Sequence, residues 1–320
     1  MLAAMKVMVL GATGFIGPPL VRALSAMGHE TVAVARTPSA GVLALERGDA
    51  AAVARAAQGC EAVVDLLAMT LPATAPLLDA LAGRIGRYVL ASSGDVYLQY
   101  GALNRLEAAG ELLRRIPEDA PLRTRLYPYR AATRRPAEDP AAWMDDYDKI
   151  PIEQAAQSQA GLSSVVARLP MVWGPGDRQR RFAWAIAPML AGATALDMDD
   201  QWADWRTTYG YVDDVANGLA LAATHPDARG AYNLGAAEAP DHAHWAERFA
   251  AAAGWTGAFR RLPREAAGPA RRQRLDQLDL SVPMVTDTSR IRAELGFCEV
   301  TDPTDGLDRT LSDEARRLAG

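Results

Sequence analysis

Cysteine, histidine and long apolar runs are all scarce in this sequence. Two cysteines, Cys60 and Cys298, stand far apart in 320 residues without C-x-x-C spacing. That excludes a disulfide framework or a cysteine metal centre and fits a reducing cytoplasm. The four histidines are His29, His225, His242 and His244. His242 and His244 lie two apart at a helix start, do not share a face and lack metal-ligand spacing, so capping or surface roles are expected of them. No Gly-x-Ser-x-Gly elbow pairs a serine with any histidine, so neither a metal site nor a serine hydrolase is expected. No stretch reaches the roughly 18 apolar residues needed to span a bilayer. Met1 to Met5 lack the basic start of a secretory signal. The expectation is a soluble, cytoplasmic protein without a membrane partner. A net charge of −5 argues against nucleic acid as a partner.

What is present is an ordinary globular composition, 49% apolar and 23% charged, long enough for one or two domains. Short apolar strands alternate with helical periodicity. Lys6 to Leu10 reads as a strand, Ile16, Leu20, Leu24 and Met27 mark a helix, and Thr31 to Ala35 makes the next strand. Pro18 and Pro19 suit that helix because they fall in its first turn, and Gly28 ends it. Further strands are expected at Ala62 to Ala68, Tyr88 to Ser92, Ser164 to Leu169, Tyr209 to Val212 and Ala231 to Leu234. Helices are expected over Ala73 to Ala82, around Ile150 to Ala160, and from an N-cap at Asp213 to about Thr224. This order predicts an α/β Rossmann fold: a doubly wound parallel sheet with a smaller, mostly C-terminal substrate domain. The dinucleotide-binding part takes residues 1–173 and 207–235. The substrate part takes 174–206 and 236–320, which are richer in Trp, Pro and Arg.

Between the first strand and its helix runs Gly11-Ala12-Thr13-Gly14-Phe15-Ile16-Gly17. Glycine lets the backbone turn sharply and approach a pyrophosphate, while the helix start offers unpaired N–H groups and a positive dipole end. A dinucleotide is therefore the expected cofactor. At the end of the second strand, where an NAD site usually carries Asp or Glu, stands Arg36. A guanidinium can pair with a 2′-phosphate that a carboxylate would repel, so NADP(H) is preferred and NAD remains an option.

The same chain carries Arg47-Gly48-Asp49, Val63-Val64-Asp65-Leu66-Leu67-Ala68 and Ala91-Ser92-Ser93-Gly94-Asp95-Val96-Tyr97. Later come Arg168-Leu169-Pro170-Met171-Val172-Trp173-Gly174-Pro175-Gly176-Asp177, Tyr211-Val212-Asp213-Asp214 and Tyr232-Asn233-Leu234-Gly235. In this order they resemble the extended short-chain dehydrogenase/reductases, the NAD-dependent epimerase/dehydratase family. The resemblance implies that Asp49 meets the adenine edge, Leu67 and Ala68 pass under the cofactor, and the Pro170 to Trp173 loop, with Val172, covers the nicotinamide side. It implies that Ser93 is the catalytic hydroxyl, bonding the substrate oxygen or the catalytic tyrosine. It also implies a homodimer.

The family's Tyr and Lys lie four residues apart on one helix. Here Lys149 and Glu153 fit the pattern, which puts Asp145 where the tyrosine should stand, while Tyr147 is only two residues from Lys149. On a regular helix Tyr147 and Lys149 would diverge. Pro151 suggests that the helix starts near Lys149 and leaves Tyr147 in the preceding loop. Three readings stay open: Tyr147 is the acid/base; Asp95 or Asp145 replaces it; or the protein is a non-catalytic dinucleotide-binding sensor or interaction protein. Asp95 sits where the family's sugar dehydratases carry a carboxylate, and it could equally cap local N–H groups.

Residues 101–136 form an Arg-rich insert, with eight arginines (105, 114, 115, 123, 125, 130, 134, 135) against four acids (107, 111, 118, 119). Leu103, Leu106, Leu113 and Ile116 predict a helix whose arginines form a solvated face. Arg178 and Arg206 are expected in the substrate cleft, Arg206 as a candidate diphosphate ligand. Trp202 and Trp205 are packing or wall residues. The function expected is an NADP(H)-dependent oxidoreductase, epimerase or dehydratase acting on a hydroxyl- or carbonyl-bearing small molecule, with a sugar or sugar nucleotide among the options.

Overall fold

In the computed structural model, residues 3–266 and 275–319 are described. The strands are β1 (Lys6–Leu10), β2 (Glu30–Ala35), β3 (Val42–Ala44), β4 (Ala62–Asp65), β5 (Arg87–Ser93), β6 (Ser164–Leu169), β7 (Met171–Trp173), β8 (Ala195–Asp199), β9 (Tyr209–Tyr211), β10 (Gly230–Asn233) and β11 (Ala258–Leu262). The helices are α1 (Gly17–Ala26), α2 (Ala50–Ala56), α3 (Leu71–Leu81), α4 (Leu98–Leu103), α5 (Lys149–Ser158), α6 (Ala183–Leu190), α7 (Asp200–Asp204), α8 (Val212–Thr224), α9 (His242–Ala253), α10 (Ser289–Leu295) and α11 (Pro303–Ala319).

Seven strands form one sheet in the order β10-β6-β5-β4-β1-β2-β3, and all its pairs are parallel. The period of two along each strand divides the apolar side chains between two faces. Val7, Val9, Val64, Val89 and Val165 join Leu20 and Leu24 of α1 and Val215 and Leu219 of α8. Met8, Leu10, Val63, Tyr88 and Val166 join Leu77 and Leu78 of α3 and Ile152 of α5. Helices therefore cover both faces, as the near-continuous apolar strands require. Leu24 is fully buried, and cutting such a side chain to alanine costs about 2–5 kcal/mol.

The strand order reverses between β1 and β4, which opens a crevice at their carboxyl ends. The glycine loop after β1, the segment after β4 and the end of β5 meet there. Beside the sheet, β8 pairs with β11 and β7 with β9. Phe182, 4.7 Å from Tyr209 and 4.9 Å from Trp245 between ring centroids, anchors an aromatic cluster continuous with the α1/α8 face of the sheet.

Two expectations are corrected. Helix α8 begins at Val212, so Asp213 lies in its first turn and is not its cap; it pairs with Arg22 and Arg309, each at 3.1 Å. The insert is not a helix. After α4 the chain runs from 104 to 141 in turns and isolated bridges. Arg105 and Gly110 take left-handed backbone angles (φ 54° and 60°), which interrupt any helical run. Ile116 N–H instead donates to Val285 O at 2.8 Å, so Ile116 and Ala120 join Tyr97, Trp205 and Val282 in a small third core. The arginines are not all solvated either, since Arg123 is 3% exposed.

Candidate active site

Ser93 ends β5, and its hydroxyl accepts the N–H of Asp95 at 3.2 Å, capping the turn Gly94–Val96. That turn drops the Asp95 side chain inward, where it is 5% exposed. From the other side, Asp148 caps α5 by accepting the N–H of Ile150 at 3.0 Å. Helix α5 therefore begins at Lys149, with Pro151 in its first turn, and Tyr147 precedes it in extended backbone (φ −69°, ψ 121°). Freed from the helix, Tyr147 turns its hydroxyl onto Asp95 Oδ2 at 2.9 Å. Ser93, Asp95 and Tyr147 all line one cavity of about 1080 Å³.

Lys149, one of two lysines in the sequence, stands behind them. Its Nζ donates to Ala68 O at 2.6 Å and Ala91 O at 3.0 Å and lies 5.7 Å from the Tyr147 ring centre. Burial lowers its pKa to about 8, against the pull of Asp95 and Asp65. Burial also raises Asp95, with Arg123, Tyr147 and Lys149 opposing. Tyr147 is pushed well above its ordinary value by burial and by the Asp95 carboxyl, while the Ser93 hydroxyl draws it down. In this geometry Tyr147 holds its proton firmly. Asp145 has no place in the cluster. It is fully buried, pairs with Arg135 and accepts the N–H groups of Ala131 and Arg135 at 3.0 and 2.6 Å, so it fastens the insert.

The crevice residues fit a dinucleotide. A Cβ on Gly17 would lie 2.4 Å from Gly11 O, so only glycine lets α1 start this close to the loop. The start of α1 has neither a side-chain cap nor an acid in its first turn, which leaves its positive end for an anion. Thr13, Gly14 and Phe15 line a second cavity of about 470 Å³, and Ile16 is the N-cap residue of α1. Leu67, 40% exposed, leans on Gly11, and Ala68 is buried beside it. Arg36 is exposed immediately after β2. Asp49 caps α2 through Ala52 N–H at 2.9 Å. Pro170 lines the large cavity, whereas Val172 is in the core and its carbonyl accepts from Arg181 at 2.7 Å.

The two predicted substrate arginines do not join this site. Arg178 lines the second cavity, and Arg206 is turned away to donate to Ala239 O at 2.8 Å. Arg180 and Arg181 stand at the large cavity instead, paired with Glu314 and Asp177. His242 is fully buried, 2.9 Å from the Tyr209 hydroxyl and packed 4.0 Å from the Trp202 ring centre. It therefore has neither the capping nor the surface role expected of it. Trp202 is a cavity wall. Trp205 is packing, its indole N–H donating to Val282 O at 2.8 Å.

Sequence reasoning missed three groups. Arg47 is bound to buried Asp65, which also accepts the Tyr88 hydroxyl at 2.7 Å, and this fixes the chain beneath the crevice. Arg168 pairs with Glu153 at 2.8 Å and donates to Tyr97 Oη at 3.0 Å, locking α5 to the sheet. Tyr129 and Arg123 come from the insert: the Tyr129 hydroxyl donates to Asp95 Oδ2 at 3.1 Å, and Arg123 Nε donates to Asp95 O at 2.5 Å. The apolar spacing of the insert carried no signal for either.

The sequence matches the NAD dependent epimerase/dehydratase family over residues 7–75 and 147–235, leaving the insert outside the match. A 3-diazoavenalumate denitrifying reductase from a Streptomyces species is 29% identical over 258 residues, 77% of this chain and 81% of that protein. Among solved structures, MoeE5 with UDP-glucuronic acid and NAD is 24% identical, with a TM-score of 0.66 over 98% of this chain and 100% of that one. Thermotoga maritima UDP-glucose 4-epimerase with UDP-glucose is 17% identical, with a TM-score of 0.67 over 98% and 100%. These structural likenesses extend the fold over nearly the whole chain.

Proposed function

We propose that this chain, whose sequence matches the NAD dependent epimerase/dehydratase family over residues 7–75 and 147–235, is an NADPH-dependent reductase of a small carbonyl-type substrate. The observation that carries this reading is the cluster of Ser93, Asp95 and Tyr147 on one cavity wall, with Lys149 behind it. The same cluster speaks against a non-catalytic sensor. Trp184, Trp202 and Met284 line the same cavity, which supports a substrate part drawn from residues beyond the sheet.

When bound, the dinucleotide supplies a hydride. Ser93 Oγ bonds the substrate oxygen, and Tyr147 Oη gives that oxygen its proton. A tyrosine held well above its ordinary pKa is a poor base at neutral pH, and it releases its proton only as an oxyanion develops beside it. That favours the reductive direction. Lys149 supplies positive charge at the carboxyl ends of β4 and β5, where the nicotinamide ribose would lie. Arg36 is exposed and has no partner among the described residues, which supports the choice of NADPH by pairing with a 2′-phosphate. Aromatic and aliphatic side chains, among them Tyr100, Leu103, Trp184, Trp202 and Met284, make up the larger part of the cavity wall, and its arginines Arg180 and Arg181 are already paired. This supports a compact, uncharged substrate over the sugar nucleotides held by the solved neighbours.

The test is fluorescence titration with NADPH and NADH, followed by turnover on a carbonyl panel that includes UDP-sugars. NADPH is expected to bind preferentially, and Arg36→Ala should weaken it ~10–100-fold, the worth of one charge-assisted bond, while leaving NADH unchanged. Tyr147→Phe should bind NADPH normally and lose about 10²–10⁴-fold in turnover. Equal binding of the two cofactors would overturn the NADPH assignment. Full turnover by Tyr147→Phe would overturn the proton donor.

A further inference from the structure

We propose that Tyr129, carried into the site by the Arg-rich insert, is a positioning residue that governs the proton on Asp95 and, through Asp95, the hydroxyl of Tyr147. This rests on the reading of Tyr147 as the proton donor.

Asp95 Oδ2 accepts two hydroxyls, Tyr147 at 2.9 Å and Tyr129 at 3.1 Å. Behind Tyr129 stands Tyr100 of α4, its oxygen 2.6 Å from that of Tyr129. Since Tyr129 gives its proton to Asp95, Tyr100 is the donor in that pair. The result is a directed chain, Tyr100 to Tyr129 to Asp95, which meets Tyr147 on one carboxyl oxygen. Asp95 Oδ1 is buried and has no hydrogen-bond partner among the described residues. The two oxygens are thus inequivalent: one takes every donor and the other takes none.

The insert is held so as to keep Tyr129 there. Before it, Arg123 pairs with fully buried Asp148 at 3.1 Å, and Tyr127 N–H donates to Asp148 Oδ2 at 2.6 Å. After it, Arg135 pairs with Asp145 and donates to Tyr129 O at 3.1 Å. The Tyr129 ring lies 5.2 Å from that of Tyr147 and 6.4 Å from that of Tyr100. Two acids that flank Tyr147 in sequence are therefore spent on anchoring the segment that delivers Tyr129.

The groups facing Asp95 are the cations Arg123 and Lys149, the hydroxyls of Tyr100, Tyr129 and Tyr147, and Ser93. Burial favours the neutral carboxylic acid, and each donated hydroxyl favours the carboxylate. Removing the Tyr129 hydroxyl takes away a donor to the charged form, so the Asp95 midpoint must rise. A charge-assisted bond of this kind corresponds to a shift of about one to two pH units.

The experiment labels aspartate carboxyls with ¹³C, assigns Asp95 by the resonance lost in Asp95→Asn, and titrates wild type, Tyr129→Phe and Tyr100→Phe. The Asp95 midpoint should rise by about one to two units in Tyr129→Phe and by less in Tyr100→Phe, with NADPH binding unchanged. A role confined to packing would leave the midpoint where it is, and that result overturns the proposal. Should Tyr129→Phe fail to fold, Tyr100→Phe decides: a raised midpoint supports the chain and an unmoved one refutes it. In the turnover assay the acid limb of kcat should move the same way, with KM little changed. Wild-type protein that binds no dinucleotide would sink the functional reading and leave the Asp95 midpoint to be judged alone.

Discussion

Arg123 shows how far the site depends on one buried cation. Its guanidinium donates to Asp95 O at 2.5 Å, Arg125 O at 2.6 Å and Asp148 Oδ1 at 3.1 Å, and neither partner of the ion pair has an exposed side chain. Arg123→Met keeps most of the side-chain length and removes all three donors. Asp148 would keep the N–H groups of Tyr127 and Ile150, so its charge is not wholly abandoned. Breaking a buried pair from one side costs about 3–5 kcal/mol, and the surviving donors place this case near the lower end. At ~2.1 cal/mol/K per residue over 320 residues, that range corresponds to a fall in Tm of about 4–7 °C. Thermal and urea melts of Arg123→Met, Asp148→Asn and the double variant provide the assay. The double variant should lose less than the sum of the singles by about 1–3 kcal/mol, because each single leaves the other partner stranded. Strict additivity, or a single-variant loss below ~1 kcal/mol, would falsify the view that this pair fastens the insert.

Lys149, with a folded-state pKa lowered to about 8 from 10.5, should make stability rise with pH. Below about 8 both states hold the proton; between about 8 and 10.5 only the unfolded chain does, so the native state gains over that window. The gain is on the order of 3 kcal/mol, and Lys149→Met should flatten it in Tm measured against pH. Gly17→Ala would place a methyl group 2.4 Å from Gly11 O. It should weaken NADPH binding by calorimetry at least ~100-fold, as a displaced phosphate loop requires. Gly48→Ala, whose added Cβ meets nothing within 4 Å, is the neutral control.

Much of the fold was legible because its signals are local. Apolar runs, the glycine loop and prolines in a first turn act over a few residues. They placed β1, α1, β5 and β6 within a residue or two, and Pro151 placed the start of α5 at Lys149. The short strand Val42–Ala44 and helix Ala50–Ala56 went unseen because neither is long enough to show a period. In the insert the apolar spacing was misleading: Leu103, Leu113 and Ile116 are partly or fully buried, but in one cluster with the segment Leu275 to Met284 and not along one helix face.

The sequence by itself determined the alternation of strands and helices in its first half, the phosphate loop and the departure of Tyr147 from the four-residue spacing to Lys149, since each is a matter of covalent neighbours. Only the tertiary structure decided which acid serves the site. Asp95 lies 52 residues from Tyr147 and 34 from Tyr129, and no periodicity links positions so far apart. Packing and the cost of burying unpaired charge do. They commit Asp145 and Asp148 to the arginines of the insert and leave Asp95 beside the tyrosines.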